Sequence, residues 1–453
     1  MDKKLLDEQI SMKTVFQEGD VFTKLSFLIS GLNNLRAKQF VKGLAFLVAE
    51  ILFFLTFFVQ VIPAVQGLIT LGTKTQGIKE VVKDGIKMQI AQEGDNSMLL
   101  MIFGLASVIF TLVYVYVFWC GLKANRKIFL LRKEKKKAPT IIQDFKTLAD
   151  GRFHMTLMSI PLIGVLCLTI LPLVYMILLA FTNYDHSHLP PKHLFDWVGL
   201  SNFGNIFAGR MAGTFIPLLT WTLIWAVFAT VTNFFFGIIL ALLINTKGLK
   251  FKKMWRTLFV ITMAVPQFVS LLIMRNMLSD WGPVNTLLEK AHLISQPLPF
   301  LSDGTWAKFS IIFVNMWVGI PVTMLISTGI ILNLPTEQIE AAEIDGANKF
   351  QIFKSITFPQ ILLIMTPTLI QQFIGNINNF NVIYLLTGGG PTNSTFYQAG
   401  ETDLLVTWLF KLTVEAADYN IASVIGILIF TLSAVFSLLA YTRTKSYKEG
   451  GAI

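Results

Sequence analysis

The stretch NLPTEQIEAAEIDGANKFQIFKSITFPQI, residues 333–361, separates two long apolar segments and carries charged residues and helix signals that both of them lack. Thr336 is the predicted N-cap of a first short helix, with Glu337 and Glu340 near its positive end. Gly346 predicts the end of this helix, because glycine adopts the left-handed conformation common at helix C-termini. The stretch therefore predicts a short helix followed by a tight turn.

A second helical pattern follows the turn. Phe350, Ile352, Phe353 and Ile356 form one apolar stripe, and Pro359 is predicted to end this helix before the next apolar segment. The whole stretch is then a helix, a turn and a helix that project beyond the flanking apolar segments. A projecting amphipathic helix has a shape that fits the groove of a partner protein.

Apolar segments of membrane-spanning length recur along the chain. Hydrophobic residues make up 54% of the sequence and charged residues 14%, whereas soluble domains carry roughly 25% charged residues. A spanning helix needs about 20 mostly apolar residues. The segments that meet this length are 43–64, 98–120, 157–181, 215–244, 258–279, 309–332, 361–386 and 421–441. We therefore predict an all-α polytopic membrane protein with eight transmembrane helices.

The basic residues indicate how these helices are oriented. Lys and Arg account for ten of the residues between 121 and 156 and for five between 245 and 257, where no acidic residue occurs. With eight spans, both loops and both chain ends lie on one side, which the positive-inside rule identifies as the cytoplasm. We therefore predict cytoplasmic termini. Residues 21–32, ahead of the first span, are predicted to form an interfacial helix or a solvated tail.

The residues outside the spans give little support for catalysis, metal binding or nucleic-acid binding. Residues 67–74, GLITLGTK, are the nearest match to a phosphate-binding loop, but Thr73 stands where that loop requires lysine. Three histidines near Asp185 lie in a polar external loop, where we expect no metal site. The basic residues behind the net charge of +10 flank the apolar runs, so we expect them to face a membrane surface rather than nucleic acid.

Neutral polar side chains stand inside the sixth and seventh predicted spans. Asn315 lies in the sixth span, and Gln372, Asn376 and Asn379 lie in the seventh. Polar residues inside a span are functional candidates, although amides also bond from helix to helix for about 0.6 kcal/mol each. Amides offer donors and acceptors to sugar hydroxyls, and neither span contains Lys, Arg, Asp or Glu. This pattern favours a neutral sugar as substrate, while lone Asn233 in the fourth span is expected to be structural.

The spacing within residues 333–361 is that of a known family. Glu340-Ala341-Ala342 is followed after three residues by Gly346, after nine more by Ile356, and after one more by Phe358-Pro359. This spacing resembles the coupling loop of binding-protein-dependent ABC importer permeases, with Phe358 in place of the usual leucine. Residues 197–207, WVGLSNFGNIF, and the tail from residue 379 resemble MalF-type permeases of maltose and maltodextrin importers. The short external loop at 182–214 is similar to that of the Gram-positive members.

The resemblance implies the transmembrane domain of a type I ABC importer, with accessory helices ahead of the permease core. The implied organisation is a cytoplasmic N-terminal segment at 1–42, two accessory helices and a basic loop at 43–156, a third helix and external loop at 157–214, the permease core at 215–441 with the coupling loop at 334–360, and a cytoplasmic tail at 442–453.

The resemblance also implies two sets of site residues. The expected sugar-binding positions are Asn315, Val318, Gly319, Val322, Gln372, Gly375, Asn376 and Asn379. The expected ATPase contacts are Glu340, Ala341, Ala342, Asp345 and Gly346. Because Val322 and Gly375 stand at positions where the family carries aromatic groups, stacking on a sugar ring would need Trp317 or Phe380.

A division of labour in a bacterial cell membrane follows from the resemblance. The chain would assemble with a homologous permease subunit, two copies of a cytoplasmic ATPase that bind ATP and Mg²⁺, and an extracellular sugar-binding protein, while binding no cofactor itself. Maltose and maltodextrin-type oligosaccharides are the implied substrates, with galacto-oligosaccharides or multiple sugars as the alternative. An ion-coupled carrier would need ionisable residues in its spans, and a membrane enzyme would need a converging catalytic set.

Overall fold

Long helices make up most of the structure, a computed structural model that describes residues 11–83, 86–151, 153–246 and 248–442. Within those ranges, seven helices are long and apolar enough to cross a membrane. They are Phe40–Thr70, Ser97–Lys133, Phe153–Leu179, Ala212–Asn245, Gly304–Leu332, Lys349–Ile377 and Tyr419–Thr442. A sharply bent helix pair raises the number to eight if it crosses as one span. The prediction of an all-α polytopic membrane protein is confirmed.

The chain forms two structural units, and the first comprises residues 1–197. Its described helices are α1 Met12–Glu18, α2 Val21–Leu25, α3 Leu32–Arg36, α4 Phe40–Thr56, α5 Ile62–Thr70, α6 Ser97–Lys133, α7 Ile141–Ala149, α8 Phe153–Val165 and α9 Leu171–Leu179. Strands β1 Gly77–Lys83 and β2 Ile86–Gln92 pair antiparallel, with Gly77 opposite Gln92. This hairpin between the first two long helices was not predicted from the sequence.

The second unit comprises residues 198–453. Its described helices are α10 Ser201–Phe207, α11 Ala212–Asn245, α12 Lys252–Ile261, α13 Gln267–Met277, α14 Pro283–Lys290, α15 Gly304–Leu332, α16 Thr336–Ile344, α17 Lys349–Ile352, α18 Phe358–Ile377, α19 Phe380–Leu386, α20 Leu405–Val414 and α21 Tyr419–Thr442. The predicted cytoplasmic tail from residue 443 onward, like residues 1–10, lies outside the described residues.

The N-terminal segment packs onto the first two long helices through buried polar side chains. Nδ2 of Asn33 donates to Oδ1 of Asn125 at 2.7 Å, and Nδ2 of Asn125 donates to the Thr23 carbonyl at 2.9 Å. Glu50 in α4 accepts a further backbone hydrogen bond from this segment at 2.5 Å. Because these bonds fix the segment on α4 and α6, the prediction of a solvated tail at residues 21–32 is wrong, whereas the interfacial helix stays a prediction.

Among the described residues, three long helices each contain one π-helical turn, and a proline follows each turn by two residues. The turns are Phe57–Val61, Leu166–Ile170 and Phe353–Thr357, and the prolines are Pro63, Pro172 and Pro359. Proline lacks an N–H and its ring clashes with the carbonyl four residues back. The widened turn accommodates both effects, since the N–H of Phe358 reaches the carbonyl of Phe353. The prediction that Pro359 ends a short helix is therefore wrong, because that helix continues from Lys349 to Ile377.

The fifth predicted span is broken rather than straight. Lys252–Ala264 and Gln267–Met277 meet at 92°. Val265 between them is extended, with ψ 125°, as expected for a residue that precedes proline. The prediction of one continuous helix over residues 258–279 is therefore wrong, and α13 begins directly after the break.

The seventh predicted span is divided by two asparagines. Helix α18 ends with Asn378 as its C-cap, and Asn379 caps α19 by accepting from the N–H of Val382 at 3.2 Å. Asparagine favours such caps because its side chain competes with helical backbone bonds. The prediction of one helix over residues 361–386 is therefore wrong at this point.

A buried apolar cluster supports this broken region. Trp225 of α11, Leu271 of α13, Ile311 of α15 and Ile383 of α19 are all fully buried within it. Farther along α11, a Cβ at Gly237 would lie 2.6 Å from the Cβ of Thr323, so glycine permits the close approach of α11 to α15. The scaffold thus holds the helix breaks in fixed positions.

Candidate functional site

A cavity of about 460 Å³ opens where the two helix breaks approach α11 and α15. All eight predicted sugar-binding positions line it, namely Asn315, Val318, Gly319 and Val322 on α15, Gln372, Gly375 and Asn376 on α18, and Asn379 at the break. Broken helices are a common way to place polar backbone and side chains at a midmembrane binding site. The fold therefore brings together residues separated by up to 64 positions in the sequence.

Three buried polar atoms of the cavity wall have no hydrogen-bond partner among the described residues. They are Oδ1 of Asn233, Nδ2 of Asn315 and Oγ1 of Thr323. The exposed fractions of these residues are 8%, 4% and 0%. A buried polar atom without a partner costs roughly 1–3 kcal/mol. Each of these three atoms lies beneath the cavity surface, with almost no area accessible to solvent.

The amides of the seventh span are held in place by neighbouring bonds. Nδ2 of Asn376 donates to Oγ1 of Thr230 at 3.0 Å, and the carbonyl of Asn376 accepts from Nε1 of Trp225 at 3.0 Å. Nδ2 of Asn379 lies 3.5 Å from Oδ1 of Asn376. These contacts give both asparagines a packing role in addition to their place in the cavity wall.

The two glycines among the predicted positions differ in what surrounds them. A Cβ at Gly319 would overlap the side-chain amide of Asn233, so this glycine makes room for that amide. A Cβ at Gly375 would meet nothing within 4 Å, so a larger side chain there would project into open space. Gly375 and its neighbours therefore set the free width of the cavity.

Sequence reasoning missed part of the wall. The additional lining residues are Asn233, Gln267, Thr323, Asn378 and Asn381, and Phe380, one of the two predicted stacking residues, also lines the wall. Asn233, expected to be structural, reaches the cavity because Gly319 lies opposite it. Gln267 does so because it begins α13 directly after the bend. The polar character of Asn233 within a span and the proline before Gln267 were the available signals.

The cavity contains an aromatic ring but no ionisable side chain among its lining residues. Phe380 lines the wall and stacks on Tyr384 with ring centroids 4.8 Å apart. Trp317, the other predicted stacking residue, is 57% exposed and is not part of the wall. The arrangement suits an uncharged ligand with hydroxyl groups and one apolar face.

The stretch at 334–360 forms a short helix, a glycine turn and the start of a longer helix. Pro335 is the N-cap of α16 and Thr336 is its first residue, so the prediction of Thr336 as the cap is wrong. Gly346 has φ +81° and ends the turn as predicted. Asn348 then caps α17 in a reciprocal capping box with Gln351.

Most of the predicted ATPase contacts lie on the surface of this stretch. Glu340, Ala341, Asp345 and Gly346 are exposed, while Ala342 is half-buried. The predicted apolar stripe divides, because Ile352 is buried but Phe350 is 70% exposed. Ile344, next to the turn, is 87% exposed. The stretch thus presents two large apolar side chains among acidic groups, which is typical of a surface that meets a partner.

The polar loop near Asp185 contains a local hydrogen-bonded turn. Nδ1 of His188 lies 2.8 Å from Oδ1 of Asp185, and Ser187 donates to the same oxygen at 2.6 Å. Burial raises the pKa of the Asp185 carboxyl, but the bonds from Ser187 and His188 outweigh it and leave the pKa below its usual value. Within the described part of the chain, no group of three or more potential metal ligands occurs.

Comparison with known proteins identifies the family. The family model "Binding-protein-dependent transport system inner membrane component" matches residues 233–444, which include both the cavity and the stretch at 334–360. The galactooligosaccharides permease GanP of Bacillus subtilis is 35% identical over 426 residues, covering 93% of this chain and 97% of GanP. The maltodextrin permease MalC of Streptococcus pneumoniae is 34% identical over 450 residues, covering 96% of this chain and 99% of MalC.

This chain belongs to the family of binding-protein-dependent importer permeases. It is thus a multi-pass membrane transport subunit. The maltose/maltodextrin permease MalF of Vibrio parahaemolyticus is 36% identical over 254 residues, which are 55% of this permease and 48% of MalF. A bacterial ABC transporter that imports the acidic polysaccharide alginate has a chain with a TM-score of 0.53 at 22% identity, covering 66% of this permease and 96% of that chain. That likeness supports the fold alone.

Proposed function

We propose that this permease carries neutral oligosaccharides of the maltose and maltodextrin type across a bacterial cell membrane through the cavity at the helix breaks. The observation that carries the proposal is a cavity wall without ionisable residues that is lined by the amide side chains of Asn315, Gln372, Asn376 and Asn379. Sugar hydroxyls both donate and accept hydrogen bonds, so they suit these amides. Phe380 would cover an apolar face of a sugar ring.

Galacto-oligosaccharides are the second candidate substrate class. GanP, named for them, matches this permease over almost its whole length, as MalC does. Hexose units of both classes present similar hydroxyl groups. The amides that line the cavity match hydroxyls in general and do not select one sugar epimer over another. The choice between the two classes therefore depends on measurement.

The proposed mechanism is alternating access driven from outside this chain. The exposed surface at 334–360 would contact one of two cytoplasmic ATPase copies, which bind ATP and Mg²⁺, through Glu340, Ala341, Ala342, Asp345 and Gly346. A homologous permease subunit would complete the pathway, and an extracellular sugar-binding protein would deliver the substrate. Both termini would be cytoplasmic. Each partner drives the change only through unequal binding to the outward- and inward-facing states.

Reconstitution of the complete importer tests this proposal. We expect ATP hydrolysis by the complex to rise with maltodextrin-loaded binding protein, and to respond less to galacto-oligosaccharides at equal concentration. A stronger response to galacto-oligosaccharides would replace the first substrate class with the second. Stimulation by acidic oligosaccharides such as alginate fragments would contradict the neutral-sugar proposal, and ATP turnover by the purified permease alone would contradict the separate ATPase.

A further inference from the structure

A second cavity lies in the first unit, where the amphipathic helix α7 meets the start of α4. Its volume is about 630 Å³. The apolar part of its wall consists of Phe40, Val41, Ile141, Phe145 and Leu148, each between 45% and 66% exposed. No protein segment among the described residues covers these side chains. Something apolar from the surroundings must therefore lie against them.

The same cavity carries excess positive charge. Lys38, Lys42 and Lys127 line it, and Asp144 is its one acidic lining residue, so three positive charges and one negative leave +2. In the part of the chain that the structure describes, none of the three lysines forms an ion pair. Oδ2 of Asp144 instead faces Nε2 of Gln39 at 3.4 Å. The lysines are therefore available to an anion.

The N-terminus of α4 adds a second attraction for an anion. Its N-cap, Gln39, makes no side-chain bond to the first helical turn. Nε2 of Gln39 donates instead to the Pro139 carbonyl at 2.9 Å, which fixes the chain ahead of α7 to the start of α4. The first-turn N–H groups of a 17-residue helix thus have no side-chain cap, and such groups bind phosphate well.

The position along the helices places the cavity at a membrane surface. Phe40 opens the long apolar helix Phe40–Thr70, and Lys127 lies near the basic end of Ser97–Lys133. Helix α7 shows apolar residues on one exposed face, including Ile142 at 66% exposure, and such helices lie in the plane of the interface. The cavity therefore opens where lipid headgroups meet acyl chains.

We propose that this cavity binds one anionic glycerophospholipid. Its phosphate would lie between Lys38, Lys42, Lys127 and the uncapped start of α4, and an acyl chain would lie along Phe145 and the apolar face of α7. Free phosphate satisfies the lysines but leaves the apolar wall in water, so the lipid accounts for both halves of the cavity. The site plays no part in the sugar pathway and goes beyond the proposed function.

Native mass spectrometry of the assembled importer in detergent, titrated with phosphatidylglycerol or phosphatidylcholine, tests the proposal. The variant Lys38→Gln/Lys42→Gln/Lys127→Gln should bind phosphatidylglycerol about tenfold more weakly or worse, because these three lysines line the cavity and would pair directly with the phosphate. The matched control, Lys135→Gln/Lys137→Gln/Lys146→Gln, removes equal charge from exposed positions outside the cavity and should bind normally.

Two further measurements separate the site from surface charge and from free phosphate. Ala45→Trp, in the cavity wall, should weaken phosphatidylglycerol binding with all lysines intact. Equal losses in the two lysine variants, or no loss in the cavity variant, would overturn the proposal. Displacement of phosphatidylglycerol by millimolar inorganic phosphate would overturn the lipid as ligand. Lipid binding is measured without sugar. A negative lipid-binding result would therefore leave the proposed transport function untouched, and a negative transport result would leave the lipid site untouched.

Discussion

At the scale of single residues, the amides of the seventh span carry both packing and the proposed sugar contacts. Asn376→Leu removes the donor to Thr230 as well as a cavity amide, whereas Asn379→Leu removes a helix cap and a cavity amide. We expect each to raise the half-saturating oligosaccharide concentration at least about fivefold, because a lost hydrogen bond costs about 1 kcal/mol. Uptake into proteoliposomes measures this.

The control for these variants lies on the same helix. Gln371 is exposed and is not part of the cavity wall, so Gln371→Leu should leave uptake unchanged. Size-exclusion chromatography of each complex shows whether assembly persists. Normal uptake by both asparagine variants would assign their amides to packing alone.

Gly375 permits a residue-level test of cavity width. Because a Cβ there meets nothing within 4 Å, Gly375→Phe should fold but fill part of the 460 Å³ cavity. We expect uptake of long oligosaccharides to fall at least tenfold and uptake of the disaccharide to fall less. Gly329→Phe, at an exposed position on α15 that is equally open, is the matched control. Equal uptake by both variants at all chain lengths would place the substrate path elsewhere.

At the scale of secondary structure, the turn at Gly346 is the point where geometry and proposed coupling coincide. Its φ of +81° and its N–H bond to the Glu343 carbonyl at 3.1 Å are both incompatible with proline. Gly346→Pro should therefore insert normally but abolish ATP-coupled uptake. Gly346→Asn should retain most uptake, since asparagine tolerates the left-handed conformation. Insertion is followed by immunoblotting of membranes, and undiminished uptake by the proline variant would refute the coupling role.

Helix breaks were the part of the fold that apolar length alone could not predict. Hydropathy found every crossing, because each carries enough apolar residues, but it treats Pro266 and Asn379 as single interruptions. A proline alone does not predict a break, because π turns carry the chain past Pro63 and Pro359, whereas Pro266 lies in the break where two helices meet at 92°. The eight expected cavity positions rested on family spacing, whereas Asn233 joined them only through three-dimensional packing against Gly319.

At the scale of the whole molecule, the assignment of sides decides whether the coupling surface can meet a cytoplasmic ATPase. Ile344 is 87% exposed, and Ser394 is exposed in the loop after α19, one crossing away along the chain. In a background with Cys120 and Cys167 replaced by alanine, Ile344→Cys should react with an impermeant maleimide only after the membrane is opened. Ser394→Cys should react in intact cells. If Ile344→Cys is labelled only after the membrane is opened, it should also crosslink to the ATPase. The reverse labelling pattern would place residues 334–360 outside, where no cytoplasmic ATPase could act on them.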